Sequence, residues 1–281
     1  MAGQRKALVT LLIGEAFQQN FQRFYRASWD RYAARHGYDI VTIDRPIDPV
    51  RYAERTPHWQ KCLILEHPDV RGYDRVAWVD ADILINPHSA PCIFEATPED
   101  SVGLVCYSTA YGSPALVDNR YHRHFRFVMD EIRADRGPPV ADIYTRAGLP
   151  GDVADFSNTG VLVLRPEVDA ALLRAVYDGY GENQASSKEN VPLSYHLHKH
   201  ARVHRLDPRF NNDWSGELIC NYPFLMTPQN AANHQLRAMC VNTAWHNSFF
   251  LHFIGNRTRQ DVAYVAVDYD GSKLHPAKSA G

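Results

Sequence analysis

The chain has 281 residues, of which 45% are hydrophobic and 22% charged, and its formal net charge is −2. That balance fits a globular protein with ample core and excludes a nucleic-acid binder driven by phosphate neutralisation. No apolar run approaches the roughly 18 residues of a membrane span, and the five scattered cysteines lack C-x-x-C spacing, so buried free thiols in a reducing cytoplasm are expected and a zinc site is not.

The N-terminal run Lys6–Gly14 is continuously apolar and is followed by Glu15, Gln18 and Gln19 without a small-residue cleavage site. It reads as a first strand covered on both faces, not as a signal peptide. Phe17, Phe21, Phe24, Tyr25, Trp29, Tyr32 and Ala33 fall near a 3.6 period, so a helix is expected over Phe17–Gly37 with Gly37 at its C-terminal cap. Tyr38–Ile43 is a second strand, and the opening β-α-β order belongs to α/β nucleotide-binding layers. Neither G-x-G-x-x-G after the first strand nor a P-loop is present, so phosphate is held by other means. A helix is expected over His58–Glu66. Within it Lys61 is either a solvated surface lysine or a partner of phosphate or carboxylate.

Tyr73–Pro87 reads Y-D-R-V-A-W-V-D-A-D-I-L-I-N-P. Its β-branched and aromatic residues predict a buried strand. Asp80 and Asp82 interrupt it. Burying two carboxylates so close together is costly, because like charges raise each other's pKa, and a cation beside them removes that cost. Oxygen ligands suit Mn²⁺ or Mg²⁺, whose shell is commonly completed by substrate phosphates. The competing reading is a pair of turn residues bonded to backbone N–H groups.

Further along, Val102–Tyr107 is a strand and Tyr121–Ile132 a helix. The Pro/Gly-rich stretch Gly137–Asp152 reads as an excursion over the active face. Asn158-Thr159-Gly160 immediately precedes a strand at Val161–Leu164, where small polar groups either bind hydroxyls or make a turn. Helices are expected over Asp169–Tyr180 and from Lys188-Glu189-Asn190 onward. Ala201–Leu206 is a strand, and Asp207–Trp214 a loop. His196, His198, His200 and His204 lack a carboxylate or cysteine at matching spacing and are read as exposed side chains. Trp59, Trp214 and Trp245 are either core residues or sugar-stacking platforms. In Phe249–Arg257, His252 lies in an apolar strand. Gly255 permits close approach to a phosphate and Arg257 can fork onto its oxygens, while a neutral imidazole suits Mn²⁺ beside two carboxylates. After Gln260 the chain turns polar.

Taken in order, the β-α-β opening, D-A-D, N-T-G, E-N and H-F-I-G resemble the GT-A class of nucleotide-sugar glycosyltransferases. The similarity is greatest to retaining families related to glycogenin and lipopolysaccharide galactosyltransferases, and H-G-Y-D (36–39) and H-W-Q-K (58–61) are similar to galactosyl/xylosyltransferases. It extends over roughly residues 5 to 258. The resemblance implies a Rossmann-like, mixed but mostly parallel sheet flanked by helices. It implies one domain over 1–265, with a nucleotide half at about 1–110, a sugar and acceptor half at about 111–265, and a polar tail over 266–281. It further implies Mn²⁺ or Mg²⁺ on Asp80, Asp82 and His252, and a UDP-sugar donor. Thr10, Leu11, Leu12, Ile13 and Gly14 would line base and ribose, with Ala81 between the two carboxylates. Lys61 would face the phosphates or Asp80. Asn158, Thr159 and Gly160 would border sugar and acceptor, Glu189 and Asn190 would flank the anomeric carbon, and Gly255 and Arg257 would serve the phosphates. Members often carry H-F-x-G-x-x-K; here the lysine position is Thr258, between Arg257 and Arg259, so one of these two arginines would be the leaving-group cation. Where members often read D-Q-D or E-Q, this chain reads Lys188-Glu189-Asn190.

The implied activity is transfer of a hexose or pentose to a hydroxyl of a carbohydrate or similar acceptor, with retention, either with the leaving phosphate taking the acceptor proton or by double displacement through Glu189. A sugar-phosphate nucleotidyltransferase would need a Gly-rich basic loop after the first strand, which Thr10–Gln19 lacks. A non-catalytic carbohydrate- or nucleotide-binding domain would be expected to lose the three metal ligands, which are all present.

Overall fold

The computed structural model describes residues 4–110, 140–182, 188–255 and 259–267. Two sheets organise them. The larger is built from Lys6–Leu11 (β1), Asp39–Ile43 (β2), Arg75–Val79 (β3), Val102–Cys106 (β5), Ser157–Leu164 (β6) and Val203–Arg205 (β7), in the order β2-β1-β3-β6-β5-β7. The smaller places Ile83–Ile85 (β4), Asn212–Asp213 (β8) and Phe250–His252 (β9) in the order β4-β9-β8. In the larger sheet β6 alone runs against its neighbours β3 and β5, and the remaining pairings are parallel. This is the expected mixed, mostly parallel sheet. In such sheets ligands gather at the carboxyl ends of the strands. The reversal of β6 brings its amino end, Asn158-Thr159-Gly160, to the carboxyl end of β3, where the Asp80 N–H donates to the Gly160 carbonyl at 2.8 Å.

Alternate residues of each strand feed opposite cores, as the two-residue period of a strand requires. Leu8, Ala77, Val79, Val161 and Val163 pack with the small sheet and the N-terminal helix. Ala7, Val9, Val76, Trp78, Leu162 and Leu164 pack beneath the 3₁₀ helix Pro57–Glu66 and the helices Pro166–Gly179 and Asn190–His200. Both faces are therefore covered, which is why the strands read as unbroken apolar runs.

Several expectations need correction. The Phe17–Gly37 helix is really Glu15–Asn20, a π-helical turn Phe21–Tyr25, and Arg26–His36; Gly37 does cap it at φ 71°. His58–Glu66 is 3₁₀, not α, and most of it is buried, Lys61 included, so Lys61 is not a surface lysine. Tyr73–Pro87 is not one strand. β3 ends at Val79 in the large sheet, β4 starts at Ile83 in the small one, and Asp80-Ala81-Asp82 is the junction. Asn158-Thr159-Gly160 lies inside β6 rather than before it. Helices Trp214–Cys220 and His234–Asn247 were not anticipated. The expected helix Tyr121–Ile132, the start of Gly137–Asp152, Arg257 and the end of the tail lie outside the described residues. No helix among the described residues is long and apolar enough to cross a membrane.

Candidate functional site

The junction between the sheets builds the site. The Ile83 N–H donates to the Asp80 carbonyl at 3.1 Å and the Phe253 N–H to the Asp82 carbonyl at 2.9 Å, so the backbone of both aspartates is fixed. In the small sheet Ile83 pairs with His252, which brings the imidazole, 170 residues downstream, onto the junction. His252 Nε2 lies 3.1 Å from Asp82 Oδ1 and 3.7 Å from Asp80 Oδ2. One ligand atom from each of the three lies within 4.8 Å of the others. Among the described residues this is the only such group of three or more potential metal ligands.

Neighbours orient each member. Asn211 Nδ2 donates to the Asn158 carbonyl and to Asn158 Oδ1, at 3.2 and 3.1 Å, which turns Asn211 Oδ1 toward His252 Nδ1 at 2.8 Å. Nδ1 therefore carries the proton given to Asn211, and Nε2 faces the carboxylates. Burial opposes a charge on this imidazole, but the Asp82 carboxylate outweighs it and the pKa is raised. Burial likewise opposes ionisation of Asp82, whereas His252 and then Arg259 favour it, and its pKa falls to about 2. Gly160 is the floor of the site. A Cβ there would stand 2.5 Å from His252 Cε1, so only glycine lets the ring lie against the strand.

Behind Asp80 lies a second network. Trp78 Nε1 donates to Asp80 Oδ1 at 2.8 Å. Lys61 Nζ reaches Asp80 Oδ1 at 3.2 Å, Glu189 Oε1 at 2.9 Å and the Thr159 carbonyl at 3.2 Å. Burial disfavours the lysine charge, yet the two carboxylates raise its pKa; burial opposes ionisation of Glu189, yet Lys61 lowers its pKa. Asn190 Oδ1 accepts from both the N–H and the hydroxyl of Thr159 at 2.8 Å. Glu189, Asn190 and Thr159 thus tie the start of a helix to β6.

Two hollows flank the triad. An open cleft is lined by Leu11, Ile13, Phe17, Tyr25, His58, Lys61, Asp80, Ala81, Asp82 and Arg259, among others. A second, smaller pocket carries polar groups including Tyr107, Asn158, Asn211, Asp213, Glu217 and Asn221. Of the five residues Thr10–Gly14, only Leu11 and Ile13 line the cleft; Thr10 and Leu12 point into the core. Gly14 has φ 100° at the start of the helix and Gly255 has φ 75°, and neither lines either hollow. Trp59, Trp214 and Trp245 are fully buried, so none is a sugar platform. His196 and His198 meet Tyr180 and Ser157, at 2.9 and 3.0 Å, and with His204 are half-buried; only His200 is exposed as expected. Tyr25 and His58 line the cleft without a signal in the sequence that marks them as site residues, whereas Arg259 is one of the two arginines expected at the leaving group. For Arg259 the signal was its place beside Thr258; Tyr25 was absorbed into the apolar face of a helix.

No protein-family model matches the sequence, and comparison with curated proteins found no match. Solved structures do match. A glycosyltransferase involved in the glycosylation of the major capsid of PBCV-1 aligns at TM-score 0.53 and 12% identity, covering 92% of this chain and 98% of that one. The chain has the fold of a GT-A glycosyltransferase. The bifunctional glycosyltransferase WbbM aligns at TM-score 0.56 and 12% identity over 94% of this chain, which spans only 50% of WbbM. The galactosyltransferase LgtC, solved with donor and acceptor sugar analogs, aligns at TM-score 0.50 and 13% identity, with 96% and 98% coverage.

Proposed function

We propose that the protein is a metal-dependent glycosyltransferase that moves a hexose or pentose from a nucleoside diphosphate sugar, with UDP as the nucleotide, to a hydroxyl acceptor with retention of configuration. The observation that carries this reading is the convergence of Asp80, Asp82 and His252 between an apolar-walled cleft and a polar pocket. The glycosyltransferase fold of the structural neighbours supports it.

The donor set fits a divalent ion. Two carboxylates and an imidazole nitrogen aimed at them by Asn211 suit Mn²⁺ or Mg²⁺. When bound, the ion neutralises charge that grows on the departing diphosphate. The chain's own residues do the rest. Leu11, Ile13 and Phe17 offer an apolar wall for the base and ribose, within the half at about 1–110. Trp78 and Lys61 hold Asp80 in place. Asn158, Asn211, Asp213 and Glu217 offer donors and acceptors for acceptor hydroxyls, in the half at about 111–265. Glu189 is 4% exposed, bound to Lys61, and not part of the cleft wall. That favours a same-face route, in which the leaving phosphate takes the acceptor's proton, over attack by Glu189.

Calorimetry with UDP and GDP, with and without Mn²⁺, on wild type and Asp82→Ala tests the reading. Metal-dependent binding of UDP by wild type and its loss in the variant are expected. Equal, metal-independent binding by both proteins would overturn it. An inverted product anomer, seen by NMR, would overturn the assignment of retention.

A further inference from the structure

Among the described residues Lys188 is the only one other than glycine with a positive φ, 56°. A side chain in that left-handed region crowds its own backbone, and such strain persists where the surroundings hold it, commonly at ligand sites. Lys188 stands two residues before the helix Asn190–His200. Its exposed side chain reaches His58, which lines the cleft, with Nζ 2.7 Å from His58 Nε2. An ammonium group only donates, so Nε2 accepts and the imidazole proton sits on Nδ1.

The acids nearest to Lys188 in sequence are engaged elsewhere. Glu189 turns inward to Lys61 Nζ at 2.9 Å. Glu182 Oε2 accepts from the Thr56 N–H, the Thr56 hydroxyl and Trp59 Nε1, at 3.1, 3.2 and 2.7 Å. Lys188 itself makes no ion pair with a described residue, and His58 Nδ1 has no hydrogen-bond partner among them. Two N–H groups of the ammonium and one of the imidazole are therefore free to face a ligand at the rim of the cleft.

The 3₁₀ helix Pro57–Glu66 sets the level at which they do so. Side chains three residues apart eclipse in such a helix, which rises about 2.0 Å per residue. His58 thus stands over Lys61 on one face, roughly 6 Å nearer the helix start. Lys61 marks the level of Asp80, which it meets at 3.2 Å. The Lys188–His58 pair is set back from the junction carboxylates by about the width of one sugar ring, and it offers three donors, two of them on a full positive charge. That suits a carboxylate carried by a sugar whose diphosphate lies at Asp80 and Asp82. We infer that Lys188 and His58 recognise such a carboxylate, and that the transferred sugar is a hexuronate rather than a neutral hexose. The inference rests on the nucleotide-sugar reading above and narrows its donor.

The test is calorimetry in saturating Mn²⁺ with UDP, UDP-glucose, UDP-galactose, UDP-glucuronate and UDP-galacturonate, on wild type, Lys188→Asn and His58→Leu. Asparagine is chosen because it tolerates the left-handed backbone. In wild type at least one uronate should bind about tenfold more tightly than its neutral counterpart, the usual range for hydrogen bonds between charged groups. Lys188→Asn should erase that preference and leave UDP affinity and melting temperature unchanged; His58→Leu should reduce the preference by less. Equal affinity of wild type for uronates and neutral sugars would overturn the inference. A preference that survives both substitutions would overturn the assignment of the pair. A loss in Lys188→Asn that is as large for UDP as for the uronates would put these donors on the phosphates and overturn the choice of sugar. Failure of wild type to bind UDP with Mn²⁺ would instead overturn the nucleotide-sugar reading itself, and this inference with it.

Discussion

Asp80 and Asp82 are separated by one residue and live in unlike surroundings. Behind Asp80 the charges close on themselves: Lys61 binds Asp80 and Glu189, Trp78 caps Asp80, and Asn190 fixes Thr159. Around Asp82 the set stays open, with Tyr25 and Arg259 each holding a buried donor that has no acceptor among the described residues. A closed network sets geometry, and removing one member leaves a buried charge behind. An open one has spare donors, and losing one costs the fold little while costing a ligand much.

That contrast sets the expected sizes of effect. Lys61→Met should destabilise most, by about 3–5 kcal/mol in chemical denaturation, because it strands the buried Glu189 and half-buried Asp80. Lys61→Met with Glu189→Leu should recover a large part. A double variant no more stable than the single one would mean that Glu189 is not the stranded charge. Gly160→Ala should cost about 1–3 kcal/mol, since the new methyl must push the His252 ring, and should weaken Mn²⁺ binding measured by calorimetry. Trp78→Phe removes the donor to Asp80 and should cost about 1 kcal/mol in the same denaturation assay. The Asp82 carboxyl, held down to about 2, contributes stability that is complete above its ordinary value of 3.8 and lost as pH falls from there toward about 2. Asp82→Asn should therefore flatten the acid limb of the melting-temperature profile. Tyr25→Phe, on the open side, should shift stability least, within about 0.5 kcal/mol. A large loss there would erase the distinction between the two networks.

Much of the fold was legible because strands covered on both faces announce themselves as apolar runs. β1, β3, β5 and β9 fall where those runs predict, the half-buried edge strands β2 and β7 fall where strands are expected without being such runs, and Asp80, Asp82 and His252 do meet. The break between β3 and β4 was invisible for the same reason: Val76–Val79 and Ile83–Ile85 are equally apolar whichever sheet they join. Lys61 stays open in the sequence between a surface lysine and a partner of Asp80; the contact with Asp80 matches what the resemblance implies, whereas nothing local reveals that Glu189 meets it in the interior. The role of Gly160 depends on a ring 92 positions away in sequence, and no local pattern encodes that approach. Helix His234–Asn247 buries only Cys240, Val241, Ala244 and Trp245, too sparse a stripe to read from periodicity. Tyr25 was read correctly as part of an aromatic helix face, but the π turn that reorients it has no signature in F-Q-R-F-Y.

The three-donor group has a mechanical consequence. Asp80 ends a strand of the large sheet, whereas Asp82 leads into the small one and His252 belongs to it. An ion gripped by all three would add a further tie between two sheets already joined through the Asp80-Ala81-Asp82 backbone and side-chain packing, and would act as a gauge block between them. Ions of different radius would then set different gaps, about 2.0–2.1 Å per ligand bond for Mg²⁺ against 2.3–2.6 Å for Ca²⁺. The Phe253 N–H, bonded to the Asp82 carbonyl, sits at that seam, and its hydrogen exchange would register how firmly the two sheets are held together.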